Sequence, residues 1–240
     1  MYIKVYNNDE RSRECSRALG SLCPHFEGWL LPIPTSPDGV HLGRGEELLD
    51  SLDFAPGEII CGYEIPPAFA RRERERGVVV VDSALDEAFL LENARLTALA
   101  ALGYILHSSA IDGERAMVGV VGYGRIGQYL VRILLSLGIP TRVFTSRHSV
   151  RLELGGSGVP SSDYSDSEAL DRVSLLVNTA PARTVLPPPT LPVLELAQGD
   201  NFPGHDITRL SALPARHYPR AAGRAWAESI KRSLCLEVEK

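Results

Sequence analysis

Residues 117–138 read MVGVVGYGRIGQYLVRILLSLG, and this string constrains the fold more than any other part of the chain. It begins with a run of β-branched residues, passes through three glycines spaced Gly-x-Gly-x-x-Gly, and continues into an amphipathic helical pattern stopped by Gly138. A strand that turns at once into a helix needs a glycine for the tight turn, here Gly122. A second, Gly124, lets the backbone approach a diphosphate, and a third, Gly127, lets the helix pack closely on the strand. The helix start then aims unpaired N–H groups and the positive end of its dipole at the loop, which suits an anion. The reading is a dinucleotide cradle formed by Gly122, Tyr123, Gly124, Arg125, Ile126 and Gly127. Arg125 either leans on the diphosphate or points outward and tunes only the local field.

The rest of the chain alternates between short β-rich and helical runs. IKVYN (3–7) precedes a helix over 9–22 with Asp9 at its cap, and GWLLPIPT (28–35) and GEIICGY (57–63) read as strands. VVVVD (78–82) is apolar throughout, as parallel strands buried on both faces are. The mixed-sign run RRERER (71–76) reads as a solvated helix face. Residues 86–109 form a long helical stretch, apolar on most sides, where we place a domain join. Strands follow at 117–122, 141–146, 173–181 and 193–197, with loop over 154–169 holding at most a short strand near Val159. Three prolines, Pro187 to Pro189, make the crossover before 193 irregular, and Pro219 opens a terminal helix. The expected fold class is α/β: a doubly wound parallel sheet (Rossmann) domain plus a smaller, reduced flavodoxin-like N-terminal domain. The expected boundaries are 1–85, an interdomain helix at 86–109, the dinucleotide domain at 110–218, and a C-terminal helix at 219–240 packing back toward the first domain.

Charge and composition exclude several function classes. A formal charge of −5 gives no general attraction to nucleic acid or anionic lipid. No apolar run approaches the roughly 20 residues of a membrane span, and MYIKVYNNDE lacks the apolar middle of a signal peptide, so a cytoplasmic protein is expected. Four scattered cysteines and six dispersed histidines match no metal spacing, so no metal is expected.

The tip of the strand after the glycine loop selects the cofactor. An NAD site places a carboxylate there for the ribose hydroxyls, whereas this chain reads Phe144-Thr145-Ser146-Arg147-His148. Arg147 can offer a planar fork to a 2′-phosphate and Ser146 a hydroxyl, which favours NADP over NAD. Alternatively, Arg147 only caps the strand end in solvent. Asn178, Thr179, Ala180 and Pro181 end the fourth strand on the ligand edge, where their backbone would flank the nicotinamide ribose. The other reading has Asn178 bonding its own backbone.

In these residues the chain resembles the A subunit of bacterial dipicolinate synthase, from about Trp29 to the C-terminus. The resemblance lies in LLPIPTSPDGV (30–40), GEIICGYEIPPAF (57–69), NARLTALAAL (93–102), VGYGRIG (121–127), VNTAP (177–181) and LELAQGDNFPGHD (194–206), in family order. It implies an oxidoreductase of spore formation that oxidises a tetrahydrodipicolinate-type precursor with NADP. It also implies a dicarboxylate substrate, a partner in the form of a flavoprotein-like B subunit, and a homo-oligomer, a dimer. Asn93 and Thr97 match the family's Asn-x-x-Pro-Thr-Ala-Glu-Gly segment and, with Arg95, are candidate substrate residues. Leu96 and Leu99 stand where that segment has Pro and Glu. The N-terminal domain looks one strand–helix pair short, and HYPRAAG (217–223) is cut back from the family's glycine–proline loop. His205 and Asp206, after the fifth strand, are the candidate catalytic pair, because a histidine near a nicotinamide can carry a proton. Two rival readings stand beside this one: a 2-hydroxyacid-type dehydrogenase, and a non-catalytic nucleotide-binding regulator or scaffold.

Overall fold

Two parallel sheets organise the chain, one in each of two units. The computed structural model describes residues 3–6, 9–112, 116–181, 187–199, 201–202 and 207–238. The first unit joins Met1–Asn93 to the returning tail Pro214–Lys240, and the second is Ala94–Leu213. The fold is α/β.

In the first unit the order is β1 (Ile3–Val5), α1 (Glu10–Leu22), β2 (Gly28–Leu30), β3 (Ile59–Gly62), α2 (Pro67–Glu75) and β4 (Val79–Asp82). The strands pair in parallel in the order β1-β2-β3-β4, with Val5, Leu30, Cys61 and Val81 in one row. A 2-1-3-4-5 sheet stripped of its outer strand has this order. Alternation sends Leu30, Cys61 and Val81 to one face, against Cys15 and Leu19 of α1. Leu31, Ile60 and Val80 go to the other, against Phe69 of α2 and Leu49 and Phe54 of the long β2–β3 connection. Asp9 caps α1 by accepting from the Ser12 N–H at 2.7 Å. β2 stops at Leu30, short of the expected 35, because Pro32 and Pro34 cannot donate to a ladder.

RRERER is not a solvated face. Glu73 is wholly buried, held by Arg72 Nε at 2.9 Å and Arg76 Nη1 at 3.3 Å. The same arginines reach out to Asp50 and Asp53, so the charge run fastens α2 to the β2–β3 connection.

Next comes α3 (Glu87–Leu106), whose 20 residues begin in one unit and end in the other. By length and mean hydropathy this helix is apolar enough to cross a membrane, so the expectation that no segment comes near a span does not hold. Its first half carries Glu87, Glu92 and Arg95, and Phe89, Ala94, Leu96, Ala98, Ala101 and Ile105 are buried within the protein.

The second unit runs β5 (Val118–Val121), α4 (Arg125–Ser136), β6 (Thr141–Phe144), α5 (His148–Gly156), β7 (Ser161–Ser162), α6 (Ser167–Leu170), β8 (Leu175–Asn178), β9 (Val193–Glu195) and β10 (Ile207–Arg209). Its sheet order is β7-β6-β5-β8-β9-β10, all parallel. Counted along the chain this is 3-2-1-4-5-6, with the order reversing between β5 and β8. Gly138, at φ +72°, ends α4 where expected. The stretch expected as loop over 154–169 instead holds the end of α5, β7 and α6. Asp166 caps α6 through the Ala169 N–H at 3.0 Å, a signal present in the residues. α7 (Leu213–His217) then leads to α8 (Pro219–Val238), which starts at its expected proline and lies along α1 in the first unit.

Candidate functional site

The three glycines of the loop do three different things. Gly122 has φ +90°, and a Cβ there would lie 2.6 Å from Ala180 Cβ. At Gly127 a Cβ would lie 2.4 Å from the Gly122 carbonyl oxygen, so the helix and the turn can meet only without one. Gly124 is different: its φ of −85° is ordinary, and nothing lies within 4 Å of where its Cβ would be. Two glycines are therefore required by packing inside the protein, and the third faces open space. Gly124 is also the N-cap of α4 and brings no side chain to the first-turn N–H groups. Tyr123 and Ile126 are half-buried, Gly124 and Arg125 exposed. A diphosphate fits this arrangement, because the exposed glycine and the uncapped helix start lie together at the sheet's reversal point.

At the tip of β6, Thr145 is buried, and its hydroxyl accepts from the Arg147 N–H at 3.3 Å. Ser146, Arg147 and His148 are exposed. Arg147 does more than cap a strand end: its Nη2 donates to the Tyr123 carbonyl at 2.9 Å, so the guanidinium lies across the glycine loop. His148 opens α5 and lines a groove of about 600 Å³ with Arg151, Leu152, Ser161, Ser162 and Asp163. Arg151 bridges the Thr145 carbonyl and the Asp163 carboxylate, the latter at 2.9 Å. No carboxylate stands within residues 144–148.

At the end of β8, Thr179 donates its hydroxyl to the Val121 carbonyl at 2.8 Å. Asn178 is fully buried. Its Oδ1 accepts from the Ala180 N–H at 3.3 Å, and its Nδ2 donates to Glu195 Oε1 at 2.9 Å. The two readings of this segment thus meet in one residue: Asn178 bonds its own backbone, and in doing so shapes the 179–181 turn that packs on Gly122. Pro181 is exposed.

Sequence reasoning misses Glu195 and Asn201. Glu195 is 2 % exposed and accepts from Asn178, from the Ala197 N–H at 2.9 Å and from Asn201 Nδ2 at 3.1 Å. Burial pushes its carboxyl above the ordinary glutamate value, although all three hydrogen bonds pull the other way. The available signal is a lone carboxylate inside the otherwise apolar strand VLELA.

Of the remaining candidates, Asn93 and Arg95 are half-buried and Thr97 is buried, all on α3. Asn93 and Thr97, four residues apart, share one side of the helix. His205 and Asp206 lie outside the described residues. Among the described residues no cluster of three potential metal ligands occurs.

With this geometry established, solved structures supply the comparison. The A subunit of dipicolinate synthase from Bacillus halodurans matches with a TM-score of 0.74 and 18% identity, over 97% of this chain and 97% of that one. Its counterpart in the dipicolinate synthase of Bacillus subtilis matches with a TM-score of 0.76 and 18% identity, over 100% of this chain and 98% of that one. The chain has the dipicolinate synthase A-subunit fold. An L-alanine dehydrogenase shares it more distantly, with a TM-score of 0.57 and 11% identity over 100% of this chain and 90% of that one. The fold is thus one used by oxidoreductases. No protein-family model matches the sequence, and no curated protein does. At such identities the likeness is one of fold, and chemistry has to be argued from the residues.

Proposed function

We propose that the second unit binds NADP and that the chain is an NADP-dependent oxidoreductase of the dipicolinate synthase A-subunit type, acting on a cyclic dicarboxylate precursor. The observation that carries this reading is the open Cβ position at Gly124 beside two glycines locked by packing. A turn with incidental glycines has no reason to divide them so. The N–H groups at the start of α4 would hold the diphosphate, and the 179–181 backbone would flank the nicotinamide ribose. Arg147 and Ser146, exposed at the tip of β6, would receive the 2′-phosphate. The bound nicotinamide supplies the hydride acceptor. His205 and Asp206 are the proposed proton carriers, and a homodimer and a B-type partner belong to the same proposal.

Titration with NADPH and NADH tests the nucleotide assignment. Wild-type protein is expected to prefer NADPH by tenfold or more. Arg147→Ala should erase that preference by weakening NADPH about 10- to 100-fold, the scale of one or two charge-assisted hydrogen bonds, with little change for NADH. A tenfold preference for NADH in the wild type would overturn the assignment.

One observation favours a second reading, a nucleotide-binding regulator: leucines at 96 and 99 stand in place of the resembled family's proline and glutamate, and Leu96 is buried. The protein mixed with NADP and 4-hydroxy-tetrahydrodipicolinate separates the two. Rising absorbance at 340 nm supports the oxidoreductase, and none, despite tight NADPH binding, supports the regulator.

A further inference from the structure

Arg11 is a buried cation without a counter-charge. It lies in the first turn of α1, is 5 % exposed, and its Nε is buried with no hydrogen-bond partner. None of the described residues forms an ion pair or hydrogen bond with its guanidinium, whereas Arg72, Arg76, Arg151 and Arg232 all have carboxylate partners. Three titratable groups lie close enough to feel its charge: Asp9, Cys15 and Tyr63. Asp9 is engaged in capping α1, and burial pushes the Cys15 thiol well above its ordinary value, leaving it neutral. Burial correspondingly lowers the pKa of Arg11 itself against the pull of these neighbours. A guanidinium in such a place is costly to a folded protein unless something external neutralises it. Water can satisfy a lone N–H, but it leaves the charge uncompensated.

The surroundings are those of a ligand site. In a parallel sheet, ligands bind beyond the carboxyl ends of the strands. Arg11 follows β1, Tyr63 and Glu64 follow β3, and Asp82 ends β4, all on that edge. Here the chain is also held in an unfavourable conformation. Glu64 has φ +54°, the left-handed region, and is fixed by Asp82, whose carboxylate accepts from the Glu64 and Ile65 N–H groups at 3.0 Å each. Asp82 also accepts from the Ala84 N–H at 2.9 Å, so its oxygens are committed to backbone.

We propose that Arg11 anchors a carboxylate-binding site at the carboxyl edge of the first unit's sheet. The class of ligand follows from charge. One guanidinium balances one carboxylate, whereas a doubly charged phosphate would leave excess negative charge beside Asp9 in a buried place. The site itself rests on the surroundings of Arg11; only the choice of an aromatic dicarboxylate as probe rests on the function proposed above.

The experiment is thermal melting and calorimetry of the full chain with pyridine-2,6-dicarboxylate, its neutral diamide and inorganic phosphate, without nucleotide. Wild-type protein is expected to be stabilised and to bind the dicarboxylate, with no response to the diamide and at least a tenfold weaker one to phosphate. Arg11→Met should melt higher than wild type without ligand, because it removes the unpaired charge, and should lose dicarboxylate affinity at least tenfold. Arg11→Lys, which keeps the charge but not the fork, should fall between. An unresponsive wild type, an Arg11→Met that melts lower or fails to fold, or a dicarboxylate affinity unchanged in Arg11→Lys would each overturn the proposal. NADPH titration of the same variants keeps the two readings apart. Arg11-dependent dicarboxylate binding without NADPH binding sustains this site and removes the nucleotide reading; the reverse removes this site alone.

Discussion

Gly124 separates a ligand-driven glycine from two fold-driven ones, and that difference is measurable. Its φ and ψ of −85° and −166° are extended, a conformation valine adopts readily, and its Cβ direction is open. Gly124→Val should therefore shift folding stability by no more than about 1 kcal/mol, the scale of an N-cap change. It should nevertheless weaken nucleotide binding at least tenfold, because the new side chain would occupy the approach to the diphosphate. Gly122→Ala combines φ +90° with a 2.6 Å approach to Ala180 Cβ, so it should cost stability by about 1–3 kcal/mol. Chemical denaturation alongside NADPH titration checks both; equal stability losses in the two variants would remove the distinction. At this scale the sequence is legible where a residue's role is set by the backbone of its own turn, as with the glycines, Asp9 and Gly138. Glu73, Glu195 and Arg11 are not legible. What defines each is burial and partners, and those come from segments distant in sequence: Asp50 and Asp53 for the Glu73 network, Asn178 for Glu195. A charge run shows its periodicity but not which of its members faces inward.

The crossing of α1 and α8 shows how an element is placed by a single small residue. Gly223 lies in the first half of α8, and a Cβ there would meet the Arg11 carbonyl oxygen and the Cys15 N at 2.7 Å each, and Glu14 Cβ at 2.6 Å. Two of these three atoms are helix backbone, which cannot swing aside. Gly223→Ala would gain about 1 kcal/mol of helix propensity if the helix stood alone. Forcing the helices apart costs about 1–3 kcal/mol or more and disturbs Trp226 and Ala227, which are fully buried. The overpacking should win, and the variant is expected to unfold at lower denaturant than wild type; a gain in stability would show that the crossing yields. Elements announced by long periodic runs, α1, α3, α4 and α8, are readable in the sequence with their caps. Short ones are not. β7 has two residues and β10 three, and such strands exist because neighbours pair with them, not because their own residues demand it. α5 hides behind its glycines, Gly155 and Gly156, which weaken a helical pattern without ending the helix before them.

At the scale of the molecule, the first unit is completed by the end of the chain. The tail returns after the second unit and contributes Trp226 and Ile230 to the core that holds Leu30, Cys61 and Val81. Polar contacts fasten it there: the Ser229 hydroxyl donates to Ser83 Oγ at 3.0 Å, and Arg232 donates to Asp86 Oδ2 from Nε at 3.1 Å and Nη2 at 2.6 Å. Joining residues 146 positions apart is entropically demanding, so each of these contacts bears on whether the unit closes. Asp86 makes one of them dependent on pH. Burial pushes its carboxyl up, but the hydrogen bonds from Arg232 and Ser229 and the attraction of Arg232 outweigh burial and leave the pKa below the usual aspartate value. A depressed carboxyl stabilises the fold above its unfolded pKa of about 3.9, and that contribution disappears as pH falls through the lower, folded value. Because Arg232 is partly exposed, with 44 % of its side chain open to water, the pair should be worth on the order of 1 kcal/mol at neutral pH. Asp86→Asn is therefore expected to be less stable than wild type by about that much in urea at pH 7, with the gap closing as the pH falls below about 4. A gap that stays constant across this range would mean that Asp86 acts through its hydrogen-bonding shape and not its charge, and the tail would then be held by packing alone.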